Sequence, residues 1–129
     1  MTPGFVKELS AGKVNHLSKE IATGDVAWAA HPHFSGVYMK NIIPGADTGN
    51  LFSQHLVRVE AGCEIGRHTH AGKCELHNVI AGSGRCVLGD KTIPYAAGEI
   101  TVLPADVEHV VTAQGTDLFI LATFVPALA

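Results

Sequence analysis

Charged and aromatic side chains are scarce in this sequence, and long apolar runs are absent. Charged residues make up 16% and aromatic residues 6% of the 129 positions, and the formal net charge at pH 7 is −3. Without a cluster of Lys or Arg, the chain offers no electrostatic surface for nucleic acid. No apolar run approaches the roughly 20 residues of a membrane-spanning helix, and the first residues contain no apolar signal segment. We therefore expect neither a nucleic-acid partner nor a membrane partner.

Cysteine is also rare. The three cysteines, Cys63, Cys74 and Cys86, cannot all pair within one chain. An odd and small number of cysteines favours reduced thiols and a cytoplasmic location. The hydrophobic fraction of 47% suits one globular domain that is large enough to bury a core.

Short apolar runs rich in Val, Ile and Leu follow one another from residue 36 onward. They cover residues 37–43, 51–59, 74–80, 84–88, 99–103, 108–113 and 117–125, with turn residues between them. Short strands at this spacing, without a long amphipathic helix, predict an all-β antiparallel barrel or sandwich.

The first 35 residues carry mixed signals. Residues 14–24 have a weak helical pattern, 26–31 a short strand pattern and 31–36 a turn pattern. Because Pro32 interrupts the chain between His31 and His33, we expect these two histidines to be turn residues. We expect residues 1–35 to form an irregular extension of the same domain, which either covers the barrel of residues 36–129 or reaches across a dimer.

Histidine is the one residue type in excess, with eight copies. His68, His70 and Glu75 stand in one short window, and in a strand the two imidazoles of a His-x-His sequence lie on one face. A carboxylate on the next antiparallel strand points into the same space, and His109, at the start of a later strand, is the candidate fourth ligand. Three imidazoles and one carboxylate suit a divalent transition metal with positions left open for water or substrate.

Two further histidines share faces with inward residues. His77 alternates in phase with Glu75, and His55 alternates in phase with Val57 and Val59. Both are candidate catalytic residues that transfer protons. The alternative is that both are interior histidines that hydrogen-bond to a neighbour.

Three other residues bear on the same site. Arg67 and Tyr95 can reach a cavity mouth and grip an anionic substrate, although a solvated surface position is the simpler expectation for both. Cys74 adjoins Glu75, so it points to the opposite face and is not expected to be a ligand.

The spacing of these residues resembles a known family. Gly62, His68, His70, Glu75 and Gly82 match the first cupin motif in spacing and residue type. The segment with Gly98, Pro104 and His109 is similar to the second cupin motif, except that Asp106 stands where the motif usually has Gly and Ala113 where it often has Asn.

This resemblance implies a double-stranded β-helix, or jelly-roll, barrel that is often a homodimer. It also implies one divalent metal ion inside the barrel, which is iron, manganese, nickel, zinc or copper. The implied ligands are His68, His70, Glu75 and His109.

The predicted function follows from the metal. We expect a metal-dependent enzyme that acts on a small polar or carboxylated metabolite, with isomerase, lyase or decarboxylase chemistry. Dioxygenase chemistry at Fe(II) would use the same open positions. The alternative is a non-catalytic, metal-containing module that binds or senses a small molecule.

Overall fold

Strands form most of the regular structure in the computed structural model, which describes residues 4–129. The chain begins with helix α1 (Gly4–Ala11), the hairpin strands β1 (Lys13–Asn15) and β2 (Glu20–Ala22), and the short strand β3 (Ala29–Ala30). The barrel strands are β4 (Val37–Ile43), β5 (Ser53–Val59), β6 (Glu64–His68), β7 (Cys74–Ala81), β8 (Ser83–Leu88), β9 (Lys91–Ala96), β10 (Ile100–Leu103), β11 (His109–Ala113) and β12 (Leu118–Val125). The one helix is far too short to cross a membrane, and the described residues contain no longer candidate.

Two antiparallel sheets face each other to form the barrel. One sheet has the strand order β10-β7-β12-β5-β4-β3 and the other has the order β6-β11-β8-β9. The last strand, β12, inserts between β5 and β7, so strands that are distant in sequence become neighbours. This jelly-roll arrangement confirms the predicted all-β antiparallel fold.

Alternation along the strands decides which side chains fill the interior. In β7 the buried positions are Glu75, His77, Val79 and Ala81, and the residues between them are less buried. The apolar interior residues come from both sheets and are Val37, Val57, Val59, Val79, Cys86, Tyr95, Leu103, Val111, Ala113, Leu118, Ile120, Ala122 and Phe124. Complete burial of a Val, Leu or Phe side chain contributes roughly 1.5–3 kcal/mol.

The N-terminal extension differs from expectation. Residues 4–11 form a helix that the sequence pattern did not indicate, and residues 14–24 contain the β1–β2 hairpin in place of a helix. Val14 pairs directly with Ile21, and the His16 amide donates to the Lys19 carbonyl at 2.8 Å to close the turn. Because a cross-strand pair and a closed turn form together, the weak helical periodicity does not decide the local structure.

Strand β9 was also missed, because residues 91–96 contain Pro94 and lie between turn residues. Strand β9 lies at the edge of its sheet. Pro94 lacks a backbone N–H, and at a sheet edge this need not cost a hydrogen bond to a neighbouring strand. Tyr95 lies opposite Gly84 of β8 and is only 1% exposed. Tyr95 belongs to the apolar interior cluster, and its ring lies 5.8 Å from the ring of His77. The expected surface position of Tyr95 is therefore wrong.

Candidate metal centre

Four side chains meet inside the barrel at the positions predicted for ligands. His68 ends β6, Glu75 lies near the start of β7, His109 begins β11, and His70 lies in the connection between β6 and β7. His68 and His109 are cross-strand partners, which brings two distant parts of the sequence together. One ligating atom from each of the four residues lies within 4.8 Å of the others.

The placement of His70 differs in one respect from the expectation. The His-x-His sequence does not lie on one strand, because β6 ends at His68. The carbonyl of His70 accepts hydrogen bonds from the amides of Lys73 at 3.2 Å and Asp106 at 3.4 Å. A hydrogen-bonded loop, and not strand alternation, therefore brings His70 to the cluster.

Two buried polar atoms in the cluster have no hydrogen-bond partner. They are Oε1 of Glu75 and Nε2 of His109, which lie 3.3 Å apart. Nε2 of His70 lies 3.7 Å from the same carboxylate oxygen. A buried polar group without a partner costs about 1–3 kcal/mol, and a cation among these atoms would remove that cost. The residues present therefore fit a bound metal ion.

Backbone carbonyls fix the orientation of two imidazoles. Nδ1 of His68 donates to the carbonyl of Gly66 at 2.7 Å, and Nδ1 of His109 donates to the carbonyl of Val107 at 3.2 Å. With the proton on Nδ1, the lone pair of each neutral ring is on Nε2, where a metal can use it.

The electrostatics of the cluster favour the deprotonated donors that a metal requires. Burial lowers the pKa of both His68 and His70, so these rings are neutral at pH 7. Burial alone would raise the pKa of Glu75, but the hydrogen bond from His77 opposes it, and the pKa of this carboxyl lies below its usual range. Neutral imidazoles and an ionised carboxylate are the ligand forms that bind a transition metal.

A buried hydrogen-bonded chain holds the other oxygen of Glu75. Nε2 of His77 lies 2.6 Å from Oε2 of Glu75, and Nδ1 of His77 lies 2.8 Å from the hydroxyl of Tyr95. A carboxylate can only accept, so Nε2–H donates to Glu75 and, in the neutral ring, Nδ1 accepts the Tyr95 proton. Burial raises the pKa of Tyr95, which keeps the hydroxyl protonated. Sequence reasoning did not find this role for Tyr95.

His55 occupies a similar interior position on the neighbouring strand. It is 2% exposed, and its Nε2 lies 2.9 Å from the hydroxyl of Ser53. That hydroxyl also accepts the amide of Leu128 at 2.8 Å, so Ser53 links the His55 ring to the C-terminal segment. The ring packs edge-to-face on Phe124. Neither His55 nor His77 lies in the wall of the cavity next to the cluster.

That cavity is small and largely apolar, with a volume of about 60 Å³. Its wall contains His68, His70 and Glu75, together with His31 and the apolar side chains of Val37, Met39, Val57, Ile65, Ala122, Phe124 and Leu128. A larger depression of about 640 Å³ lies beside α1 on the outer side of the barrel, and none of the four clustered residues lines it.

His31 is a wall residue that the sequence placed only in a turn. Its ring stacks on Phe34 at 4.7 Å, and Phe34 in turn lies 6.0 Å from the ring of His68. Nδ1 of His31 accepts the amide of His33 at 3.1 Å. The local sequence indicates the turn, but the packing of the turn against β6 depends on the assembled barrel. Arg67, by contrast, is exposed as expected and pairs with Glu108 at 2.8 Å.

Comparison with known proteins agrees with this geometry. A family model described as "Cupin domain" matches residues 55–124. A structure described as a predicted oxalate decarboxylase from Thermotoga maritima has a TM-score of 0.74 and 21% identity, over 80% of this chain and 95% of that chain. Ectoine synthase from P. lautus has a TM-score of 0.69 and 22% identity, over 90% of this chain and 79% of that one.

A third similar structure is the polyketide cyclase RemF from Streptomyces resistomycificus. It has a TM-score of 0.69 and 22% identity, over 83% of this chain and 78% of that one. No curated protein sequence matches the chain. Similarity at these identities is evidence of fold alone. The family model covers more than half of the chain, and with the jelly-roll topology and the His/Glu cluster it shows that this chain is a single-domain member of the cupin family.

Proposed function

We propose that this cupin is a metal-dependent enzyme that acts on a small molecule at a centre formed by His68, His70, Glu75 and His109. The observation that carries the proposal is the meeting of these four side chains with two buried, unpartnered ligating atoms beside a cavity. Three imidazoles and one carboxylate leave coordination positions open. A bound metal would supply Lewis-acid polarisation of a substrate oxygen.

The reaction class that fits this site is isomerase, lyase or decarboxylase chemistry, or dioxygenase chemistry if the metal is iron. The similar structures are described as a predicted oxalate decarboxylase, an ectoine synthase and a polyketide cyclase, so proteins with this fold are assigned several kinds of reaction. The cavity wall is largely apolar, which lowers the local polarity and strengthens electrostatic interactions there.

For His77 and His55 we keep proton transfer as a prediction. Both nitrogens of His77 already have partners, and His55 hydrogen-bonds to Ser53. A proton handled by His77 therefore moves along the line from Glu75 to Tyr95, and not directly to a molecule in the cavity. The His77→Gln variant tests the role, because unchanged turnover of an identified substrate would contradict it.

The metal assignment is tested by elemental analysis of protein purified without oxygen. We expect about one transition-metal ion per chain and its loss in the double variant His68→Ala/Glu75→Ala. The control variant His33→Ala/Glu99→Ala removes the same residue types from exposed positions and should keep the metal. Full occupancy in the first double variant would overturn the site. The element found also distinguishes iron-based dioxygenase chemistry from the other reactions.

The second candidate is a non-catalytic module that binds or senses a small molecule. It is favoured by the cavity wall, in which, among residues 4–129, His31 is the only titratable residue apart from the proposed ligands. Catalysis by proton transfer requires at least one group with a suitable pKa near the substrate. Recovery of a bound ligand unchanged after long incubation with the metal-loaded protein would favour this candidate.

We also propose a homodimer in the cytoplasm. Ile100 and Val102 on the edge strand β10 are 63% and 61% exposed, and Val125 is 52% exposed. Apolar side chains at a sheet edge are commonly covered by a partner. The three cysteines are free thiols, as a reducing compartment would keep them. Light scattering on the purified protein tests the dimer, and a monomeric mass would contradict it.

A further inference from the structure

We infer that the cavity selects a compact molecule with one metal-binding oxygen group and an uncharged apolar body, and that it rejects a second anionic group. This inference rests on the proposed function, because it concerns the molecule that would meet the metal. It narrows the proposed substrate class, because a polar or charged body would lack hydrogen-bonding and charged partners in the apolar cavity wall.

The first observation is that, among the described residues, the cavity wall has no lysine or arginine that could pair with an anionic group. Among the residues that line the cavity in the described part of the chain, seven are apolar and none is Lys or Arg. Basic side chains in the segments that carry or flank the wall residues have other partners. Arg67 pairs with Glu108, Lys73 donates to the carbonyl of Ala127 at 2.8 Å, and Arg58 pairs with Asp117 on the outer side.

The second observation is the charge that the ligands leave on a divalent metal. The proposed ligand set consists of one carboxylate, from Glu75, and three imidazoles. A divalent ion with one carboxylate ligand and neutral imidazoles carries a net charge of about +1. One anionic head group on the incoming molecule neutralises that charge. A second carboxylate would be buried against apolar side chains without a partner, which is strongly unfavourable.

The third observation is size. The enclosed part of the cavity has about 60 Å³, and one buried water needs roughly 10–15 Å³, so this part holds only a few water-sized groups. A sugar or a nucleotide would place most of its atoms outside this enclosed part. The apolar body is therefore about as large as a short alkyl group.

Among the wall residues in the described part of the chain, His31 is the one polar residue outside the proposed ligands. Its Nδ1 accepts the amide of His33, so in the neutral ring Nε2 carries the proton and is a donor. This single donor suits a second oxygen on the same head group, for example the hydroxyl or carbonyl oxygen next to a carboxylate. The wall thus recognises one oxygen-rich end and one apolar end.

The experiment compares two acids that share a chelating end. The protein is loaded with Co(II), excess metal is removed, and binding of 2-hydroxybutanoate and hydroxymalonate is followed through the visible absorption of the metal. Both acids have a carbon that bears a hydroxyl group and a carboxylate. In 2-hydroxybutanoate this carbon also carries an ethyl group, and in hydroxymalonate it carries a second carboxylate. We expect hydroxymalonate to bind at least roughly tenfold more weakly, as an unpartnered buried charge requires.

The variant Met39→Lys adds a cation to the wall and should improve relative binding of hydroxymalonate by about tenfold. The variant Ile65→Lys adds the same charge to the wall from the other sheet. It serves as a second test if Met39→Lys folds poorly. The control Leu17→Lys adds the same charge at a fully exposed position in the β1–β2 turn and should leave the ratio unchanged.

The outcomes separate the inference from the proposed function. If the protein binds Co(II) but binds hydroxymalonate as tightly as 2-hydroxybutanoate, the inference is wrong and the metal site stands. If neither wall variant that folds changes the ratio, the wall does not select the body and the inference is likewise overturned. If no Co(II) binds, the proposed function fails and the inference fails with it.

Discussion

Removal of the Tyr95 hydroxyl is the sharpest test of the buried chain behind the proposed centre. In Tyr95→Phe the ring still fills the space opposite Gly84, but Nδ1 of His77 loses its partner at 2.8 Å. His77 is 3% exposed, so water does not readily replace the hydroxyl. The substitution therefore changes one hydrogen bond and leaves the apolar packing in place.

The size of the effect follows from burial. A buried acceptor left without a partner lowers the free energy of unfolding by about 1–3 kcal/mol in the metal-free protein. Loss of a group that orients a metal ligand typically weakens metal affinity by about 10–100-fold. Tenfold weaker binding corresponds to about 1.4 kcal/mol. With metal in excess, the variant should therefore lose at least that much more stability than it loses without metal.

Urea unfolding with and without Zn(II), combined with direct measurement of the zinc dissociation constant, provides the assay. Tyr38→Phe is the matched control, since Tyr38 is the only other tyrosine and lies half-buried on the outer face with the guanidinium of Arg58 5.8 Å from its ring. We expect a change within about 0.5 kcal/mol for this control. If Tyr95→Phe behaved like the control in both measurements, the chain from Tyr95 to Glu75 would have no orienting role.

Two further predictions concern stability away from the cluster. Gly82 and Gly62 both have positive φ, at 87° and 78°, but a Cβ at Gly82 would meet the backbone of Asp117 whereas one at Gly62 meets open space. Gly82→Ala should therefore lower the free energy of unfolding by more than the roughly 1 kcal/mol expected for Gly62→Ala, and equal losses in urea unfolding would refute this. The hydrogen bond from the Ala61 amide, followed by the interaction with Arg58, lowers the pKa of Asp117. A lowered folded pKa stabilises the protein above the unfolded carboxyl pKa, and the stabilisation is lost as pH falls through the folded value. Asp117→Asn should thus reduce the free energy of unfolding more at pH 7 than at pH 3, and a pH-independent difference would contradict this assignment.

Most barrel strands and the four clustered residues could be predicted because their signals are local, whereas β9 and most of β6 lie in stretches rich in turn residues. Alternation in residues 74–80 determines which side chains face inward, and the spacing of His68, His70 and Glu75 is a short-range pattern. His109 lies far along the chain, but it follows a recognisable turn at the start of a strand. Its cross-strand pairing with His68 then brings it to the same point.

Asp106 shows how a departure from a motif can leave the backbone unchanged. The residue has a φ of 66°, a left-handed conformation that glycine adopts without cost and that aspartate tolerates better than most residues. Its Oδ1 also accepts the amide of Gly72 at 3.1 Å. The turn before His109 therefore keeps its path, and the side chain links it to the loop that carries His70.

Tyr95 and His31 could not be predicted because their positions depend on tertiary packing. Tyr95 lies in an edge strand that contains a proline, so neither its strand nor its inward direction has a clear local signal. His31 reaches the cavity because residues 31–36 fold back over β6, with the Phe34 ring packed on Gly66. Similarly, the β1–β2 hairpin arises from the Val14–Ile21 pair and its closed turn, which a helical periodicity does not reveal.

The residues of the cavity wall come from two parts of the chain, and this division affects how the ligand preference of such a protein can change through substitution. The four clustered residues all lie within the matched segment 55–124, whereas His31, Val37, Met39 and Leu128 lie outside it. Substitutions or length changes in the flanking segments would alter the shape and polarity of the pocket while the metal-binding framework stays intact. New ligand preferences are therefore accessible to this scaffold through its periphery, without passing through variants that have lost the metal.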